Sequence, residues 1–109
     1  MLNDDMVCDL IGGLRQIFKT SLLQIILYGS VARKEQSQES DIDIAIIIRD
    51  NQILGVLDHF VEWNAELDMK YERVFSIVDI EESKMKDWGD ILPFYKNIRQ
   101  EGIVLWKAA

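Results

Sequence analysis

Residues 22–49 read LLQIILYGSVARKEQSQESDIDIAIIIR, two apolar runs separated by a polar interval. The first run, Leu22 to Tyr28, is partly β-branched and aromatic, is too short for an independent helix and stops at Gly29, so it reads as a buried strand. The second, Asp41 to Arg49, alternates: Ile42, Ile44, Ile46 and Ile48 share one face, and Asp41, Asp43, Ala45 and Ile47 share the other. The isoleucine face must pack on helices. Between the strands, Ser30 to Glu35 begins with an N-cap residue type and carries Ala, Arg, Lys and Glu, which suits one or two helical turns, and Gln36 to Ser40 is a polar loop.

Outward from this core the chain alternates. Apolar residues at Met6, Leu10, Leu14, Ile17 and Phe18 follow a helical period from Asp4 to Lys19, behind Asn3, Asp4 and Asp5 as candidate caps. From Asn51 to about Met69, the positions Ile53, Val56, Leu57, Phe60, Val61, Trp63 and Leu67 predict a long amphipathic helix that returns the chain to the start of the sheet. Tyr71 to Ile80 is a third strand candidate, and Glu81 to Lys86 is helical in character before Gly89 interrupts. Pro93 suits the first turn of a short helix, PFYKNIRQE, ended by Gly102 before a terminal strand IVLW. Helices alternating with strands around one small sheet indicate an α/β (α+β) fold with a mixed sheet of about three to four strands. A chain of 109 residues is expected to be one domain, 1–109.

Composition narrows the functional classes. With 49% apolar and 28% charged residues the chain has enough core to fold without disulfides or a structural metal. Twelve Lys plus Arg against 19 Asp plus Glu give a net charge of −7, which argues against nucleic acid as a partner and requires any anionic substrate to be reached locally. Cys8 is the single cysteine and no Cys/His cluster has zinc spacing, which favours a reducing, cytoplasmic setting. The apolar runs are strand-sized and the N-terminal stretch MLNDDMVCDL is acidic where a signal peptide would be basic, so no membrane role is expected.

Asp41 and Asp43, at i and i+2 on a strand, place two carboxylates side by side. Two neighbouring anions raise the pKa of one partner or bind a hard cation, and Mg²⁺ takes one or two carboxylates and completes its shell with phosphate oxygens. A bare Asp-x-Asp also fits a loop cap beside a solvated strand face. Gly29 and Ser30 follow the first strand and precede a helical turn, an arrangement in which backbone N–H groups receive phosphate. Gly29 permits close backbone approach, while Ser30 suits both helix capping and a hydrogen bond to phosphate. Ten residues, Val31 to Ser40, separate Gly29-Ser30 from Asp41-Ile42-Asp43, a length that returns the carboxylates beside the Gly-Ser turn.

The pair G-S-V-A-R at 29–33 and S-D-I-D at 40–43, with this spacing, resembles the signature of the polymerase-beta-like nucleotidyltransferases. The chain's size and its ending, PFYKNIRQEGIVL, resemble the minimal nucleotidyltransferases of that superfamily. The resemblance implies nucleotide binding by Gly29, Ser30 and Arg33, although Arg33 equally suits a solvated helix surface. It implies Mg²⁺ at Asp41 and Asp43, ATP as substrate, and transfer of a nucleoside monophosphate to a hydroxyl. A third carboxylate on the next strand completes the two-metal site in the family, and here Ser76 falls at that position. Glu72 would share the face of Ser76 on a regular strand, Asp79 would point oppositely, and Asp68 is a more distant substitute. The resemblance further implies an antitoxin that modifies a helical HEPN-domain toxin; the rival reading is a binding protein on the same scaffold that neutralises its partner by occlusion, with weak or no transfer.

The remaining candidates have simpler readings. His59 reads as a surface residue of the long helix, Cys8 as an inert, partly buried thiol, and Trp63, Trp88 and Trp106 as core and rim anchors, with Trp88 beside Gly89 a candidate partner contact. Lys34, Lys84 and Lys86 are too few for a basic patch. The terminal strand has an apolar edge suited either to pairing two copies or to packing within the chain.

Overall fold

The computed structural model describes residues 2–32 and 41–109, apart from the side chains of Ser30 and Val31. Four strands, β1 (Leu22–Tyr28), β2 (Ile42–Ile48), β3 (Phe75–Glu81) and β4 (Ile103–Lys107), form one sheet in the order β3-β2-β1-β4. β1 is antiparallel to both β2 and β4, whereas β2 runs parallel to β3, so the sheet is mixed as the sequence predicts. A parallel pair needs a crossover, and α3 (Leu57–Tyr71) supplies it.

The alternation in β2 decides how the layers stack. Ile42, Ile44, Ile46 and Ile48 are fully buried against α1 (Asp4–Phe18) and α3, joining Leu10, Leu14, Phe60 and Leu67 in the larger core. Ala45 and Ile47 point the other way with Ile26 and Ile80, and meet Ile98 of α5 (Pro93–Glu101) and Met85 of α4 (Glu82–Trp88). Removing one of the buried isoleucines to Ala would cost about 2–5 kcal/mol, since transfer and cavity terms add. Local signals set the helix ends. Asn3 caps α1, its side chain accepting from the Met6 N–H at 2.9 Å, and Pro93 opens α5 where its missing N–H costs nothing.

Three sequence-based expectations need correction. The long helix begins at Leu57 rather than Asn51, because residues 50–56 form turns with Asn51 at φ 63°. Ile53 and Val56 nevertheless pack on the core from those turns, which extended the helical period into non-helical chain. The third strand begins at Phe75, since α3 continues through Tyr71 and ends at Glu72 in the left-handed region. Cys8 is exposed. The helical turns expected up to Glu35 are described only as α2 (Gly29–Ala32), and Arg33 with the 36–40 loop lies outside the described residues.

Among the described residues no helix is long and apolar enough to cross a membrane.

Candidate active site at the Gly29–Asp43 contact

One row crosses the sheet where β1 ends and β2 begins. Tyr28 pairs with Asp43 across the antiparallel ladder, and Asp43 pairs with Ser76 across the parallel one. Tyr28 packs in the same cluster as Ile26, Ala45 and Ile80, so by alternation the side chains of Tyr28, Asp43 and Ser76 share the face covered by α4 and α5. Asp41 lies one residue before β2, exposed and on the same side by the same alternation. The Ile42 N–H donates to the Val74 carbonyl at 2.8 Å and fastens the start of β2 to the chain entering β3.

Gly29 closes the row. Its φ is +75°, a conformation that L side chains rarely adopt. A Cβ there would lie 3.1 Å from the Asp43 carboxyl carbon and overlap its Oδ2, so the bare backbone of the turn sits directly against the carboxylate. The sequence placed the Asp-x-Asp beside the Gly-Ser turn by counting residues; the structure makes that contact for Asp43 and Gly29. Arg33 and the Ser30 side chain lie outside the described residues, so only the backbone course of Ser30 is seen.

Tyr28 is the neighbour that sequence reasoning passed over. Its ring meets Phe94 of α5 edge-on at 5.8 Å between centroids, which holds it over the row. Burial, and then the charge of Asp43, push its phenol pKa up, so it stays a neutral hydroxyl. The available signal was its place as the last residue of β1, on the alternation that leads into Gly29.

The substitutes for a third carboxylate fall elsewhere. Ser76 stands beside Asp43, so the neighbouring strand offers a hydroxyl at this position. Glu72 is the exposed C-cap of α3 and not a β3 residue, which removes the regular strand on which its facing was reasoned. Asp79 pairs with Ile46, is exposed and lies off the Asp43 face by parity. Asp68 is engaged in holding the backbone. Its Oδ1 accepts from the Phe75 N–H at 2.8 Å and from Asn64 Nδ2 at 3.4 Å, while Asn64 Nδ2 also donates to the Phe75 carbonyl at 3.1 Å. These bonds fix where β3 starts and therefore which residue meets Asp43.

Among the described residues no group of three or more His, Cys, Asp or Glu converges as a metal cage. Two aspartates beside an open glycine turn suit a hard cation that brings phosphate oxygens with it, since Mg²⁺ is held by one or two carboxylates plus substrate phosphates.

Residues 13–108 match the Polymerase beta nucleotidyltransferase family. The chain belongs to that family. A Methanocaldococcus jannaschii relative, named "Putative protein adenylyltransferase MJ0604", is 31% identical over 109 residues, covering 97% of this chain and all of the relative. The polymerase-beta fold is also seen in a toxin-antitoxin solved with AMP-PNP, with a TM-score of 0.67 and 22% identity over 94% of this chain and 73% of the other. An MntA-HpeT toxin-antitoxin mutant has a TM-score of 0.62 at 21% identity, with 94% and 73% of the two chains covered. The chain is thus a nucleotidyltransferase of the minimal type, on the mixed four-stranded sheet described above.

Proposed function

We propose that this nucleotidyltransferase moves AMP from ATP, with Mg²⁺, onto a hydroxyl of a partner protein in the cytoplasm, and that the partner is a HEPN-type toxin for which this chain is the antitoxin. The observation that carries the reading is Gly29 at φ +75° pressed against Asp43, because a phosphate-bearing ligand at the turn meets the carboxylates there. The named activity of the archaeal relative and the AMP-PNP in the solved neighbour support adenine as the base and AMP as the transferred group. The toxin-antitoxin neighbours support the kind of partner.

Each residue has a defined role in this reaction. Backbone N–H groups of Gly29 and Ser30 hold the triphosphate, and Arg33 adds charge to it. Asp41 and Asp43 are the residues that would hold the metal. When bound, Mg²⁺ neutralises charge on the bridging oxygens and polarises the α-phosphoryl group. The acceptor oxygen attacks the α-phosphorus in line, its proton passes to a carboxylate or water, a P–O bond to the acceptor forms and the bond to pyrophosphate breaks. Tyr28, kept neutral, shields one side of the row.

Label transfer from α-labelled ATP tests this, using purified protein, a lysate of its source and Mg²⁺. Label on one discrete protein, lost in Asp41→Asn and in Asp43→Asn, is the expected result; transfer retained in both variants overturns the site. Ser76 beside Asp43 favours a second reading, an occluding binding protein with little transfer. That reading expects no label alongside a stably co-purifying partner.

A further inference from the structure

The opposite end of the sheet carries charge of the other sign. Leu22 pairs with Ile48 there, six residues along β1 from the Tyr28–Asp43 pair and therefore about 20 Å away at the rise of a strand. A pocket of about 590 Å³ opens at this end, lined by Arg15 and Lys19 from the end of α1, Arg49 after β2 and Trp106 of β4. An adjoining pocket of about 420 Å³ shares Arg49 and adds Lys86, Arg99 and Lys107. Six of the chain's 12 Lys and Arg thus gather at one end of a molecule whose net charge is −7.

The first pocket is arranged to receive an anion. Arg15, Lys19 and Arg49 make no ion pair with any carboxylate among the described residues. The Arg15 guanidinium lies 5.2 Å from the centre of the Trp106 ring, which orients its planar fork. Arg49 Nε donates to the Thr20 carbonyl at 3.2 Å, leaving its two Nη groups without a protein partner among the described residues. Lys19 sits at φ 54° as the C-cap of α1, where Gly or Asn is the usual choice, so a strained position carries a cation at the pocket rim. The nearby side-chain carboxylates are engaged elsewhere, Asp50 accepting from the Ser83 N–H at 3.1 Å and Glu81 from the Asn51 N–H at 2.7 Å, while Ala109 with its terminal carboxylate also lines the pocket against the three cations. On the adjoining side Arg99 is committed to Asp90 at 2.9 Å and Glu82 lines the wall, which puts the anion in the Arg15–Lys19–Arg49 pocket.

We propose that the Arg15–Lys19–Arg49 pocket is a second anion site, separate from the Asp41/Asp43 row, and that it takes a small free polyphosphate anion. Arginine forks match phosphate oxygens in pairs, and three cations lining one pocket concentrate their field on a compact ligand. A long polyanion crossing the surface would meet the molecule's excess negative charge, which disfavours nucleic acid. The inference is independent of the acceptor assigned above.

The test is titration of ¹⁵N-labelled protein with sodium tripolyphosphate in EDTA, so that no divalent ion bridges the phosphates to the aspartates. Expected are saturable shifts of the Trp106 indole N–H and of the Lys19 and Arg49 amides, with no comparable change at Tyr28 or Gly29, and a dissociation constant tighter than about 1 mM. Arg49→Gln and Lys19→Asn, both at exposed positions and checked for unchanged melting, should each weaken binding at least severalfold. Absence of saturation, shifts centred on Gly29 and Asp43, or unaltered binding in both variants overturns the proposal. Binding of a single-stranded oligonucleotide at this end without binding of tripolyphosphate also overturns it.

Discussion

At Gly29 the backbone holds a φ of +75°, and the Asp43 carboxylate already fills the space a side chain would need. Gly29→Ala should therefore cost about 1–3 kcal/mol of stability, from strain and overlap together, and weaken nucleotide binding more than that loss predicts. Urea unfolding beside calorimetric titration with an ATP analogue separates the two effects. Ser76 provides the converse experiment. Ser76→Asp places another carboxylate next to Asp43 on the neighbouring strand, so melting without metal should fall and Mg²⁺ should restore it by more than in the wild type. A melting temperature unmoved by Mg²⁺ in that variant would place the cation elsewhere. The closeness of Gly29 and Asp43 was legible from spacing, because strand alternation and a fixed count of ten residues constrain where the chain returns. Tyr28 was not, since a residue that acts through its pair on β2 and Phe94 of α5 leaves no local pattern.

Among the elements, α1 and α3 cover the isoleucine face and are joined at their outer surfaces by Asp9, which receives hydrogen bonds from Lys70 Nζ and the Tyr71 hydroxyl. The Lys70 hydrogen bond, then that of Tyr71, holds the Asp9 pKa below the usual carboxylate value, while the same contact raises those of Lys70 and Tyr71. A depressed carboxylate pKa contributes stability that is present above its unfolded value and lost as pH falls through the folded one. The raised Lys70 pKa contributes stability that is present at neutral pH and lost as pH rises through its folded value. Asp9→Asn should flatten both the acid and the alkaline decline of the melting temperature, by less than a core substitution costs because the pair is exposed. A melting profile identical to wild type would show that the contact couples no proton to folding. The sequence located all four strands. Its misplaced boundaries, at the start of α3 and of β3, arose where turn residues such as Ile53 and Val56 touch the core without being helical, and where α3 runs on to Tyr71. The exact start of β3 rests on Asp68 and Asn64, side-chain bonds to the backbone that hydrophobic periodicity cannot reveal.

For the whole molecule, the sheet order β3-β2-β1-β4 sets β1 and β2 at the centre, so the chain's acidic pair and its glycine turn meet at one end while cations scattered from position 15 to position 107 meet at the other. A residue count shows only net acidity; this separation is a product of topology and was invisible before the strands were paired. The most direct measurement of the central claim is calorimetric binding of α,β-methylene ATP with and without Mg²⁺, in the wild type and in Asp41→Asn/Asp43→Asn. It requires no acceptor and no turnover. The account predicts Mg²⁺-dependent binding in the wild type that falls at least tenfold in the double variant, and Mg²⁺-dependent affinity that survives both substitutions unchanged would contradict it.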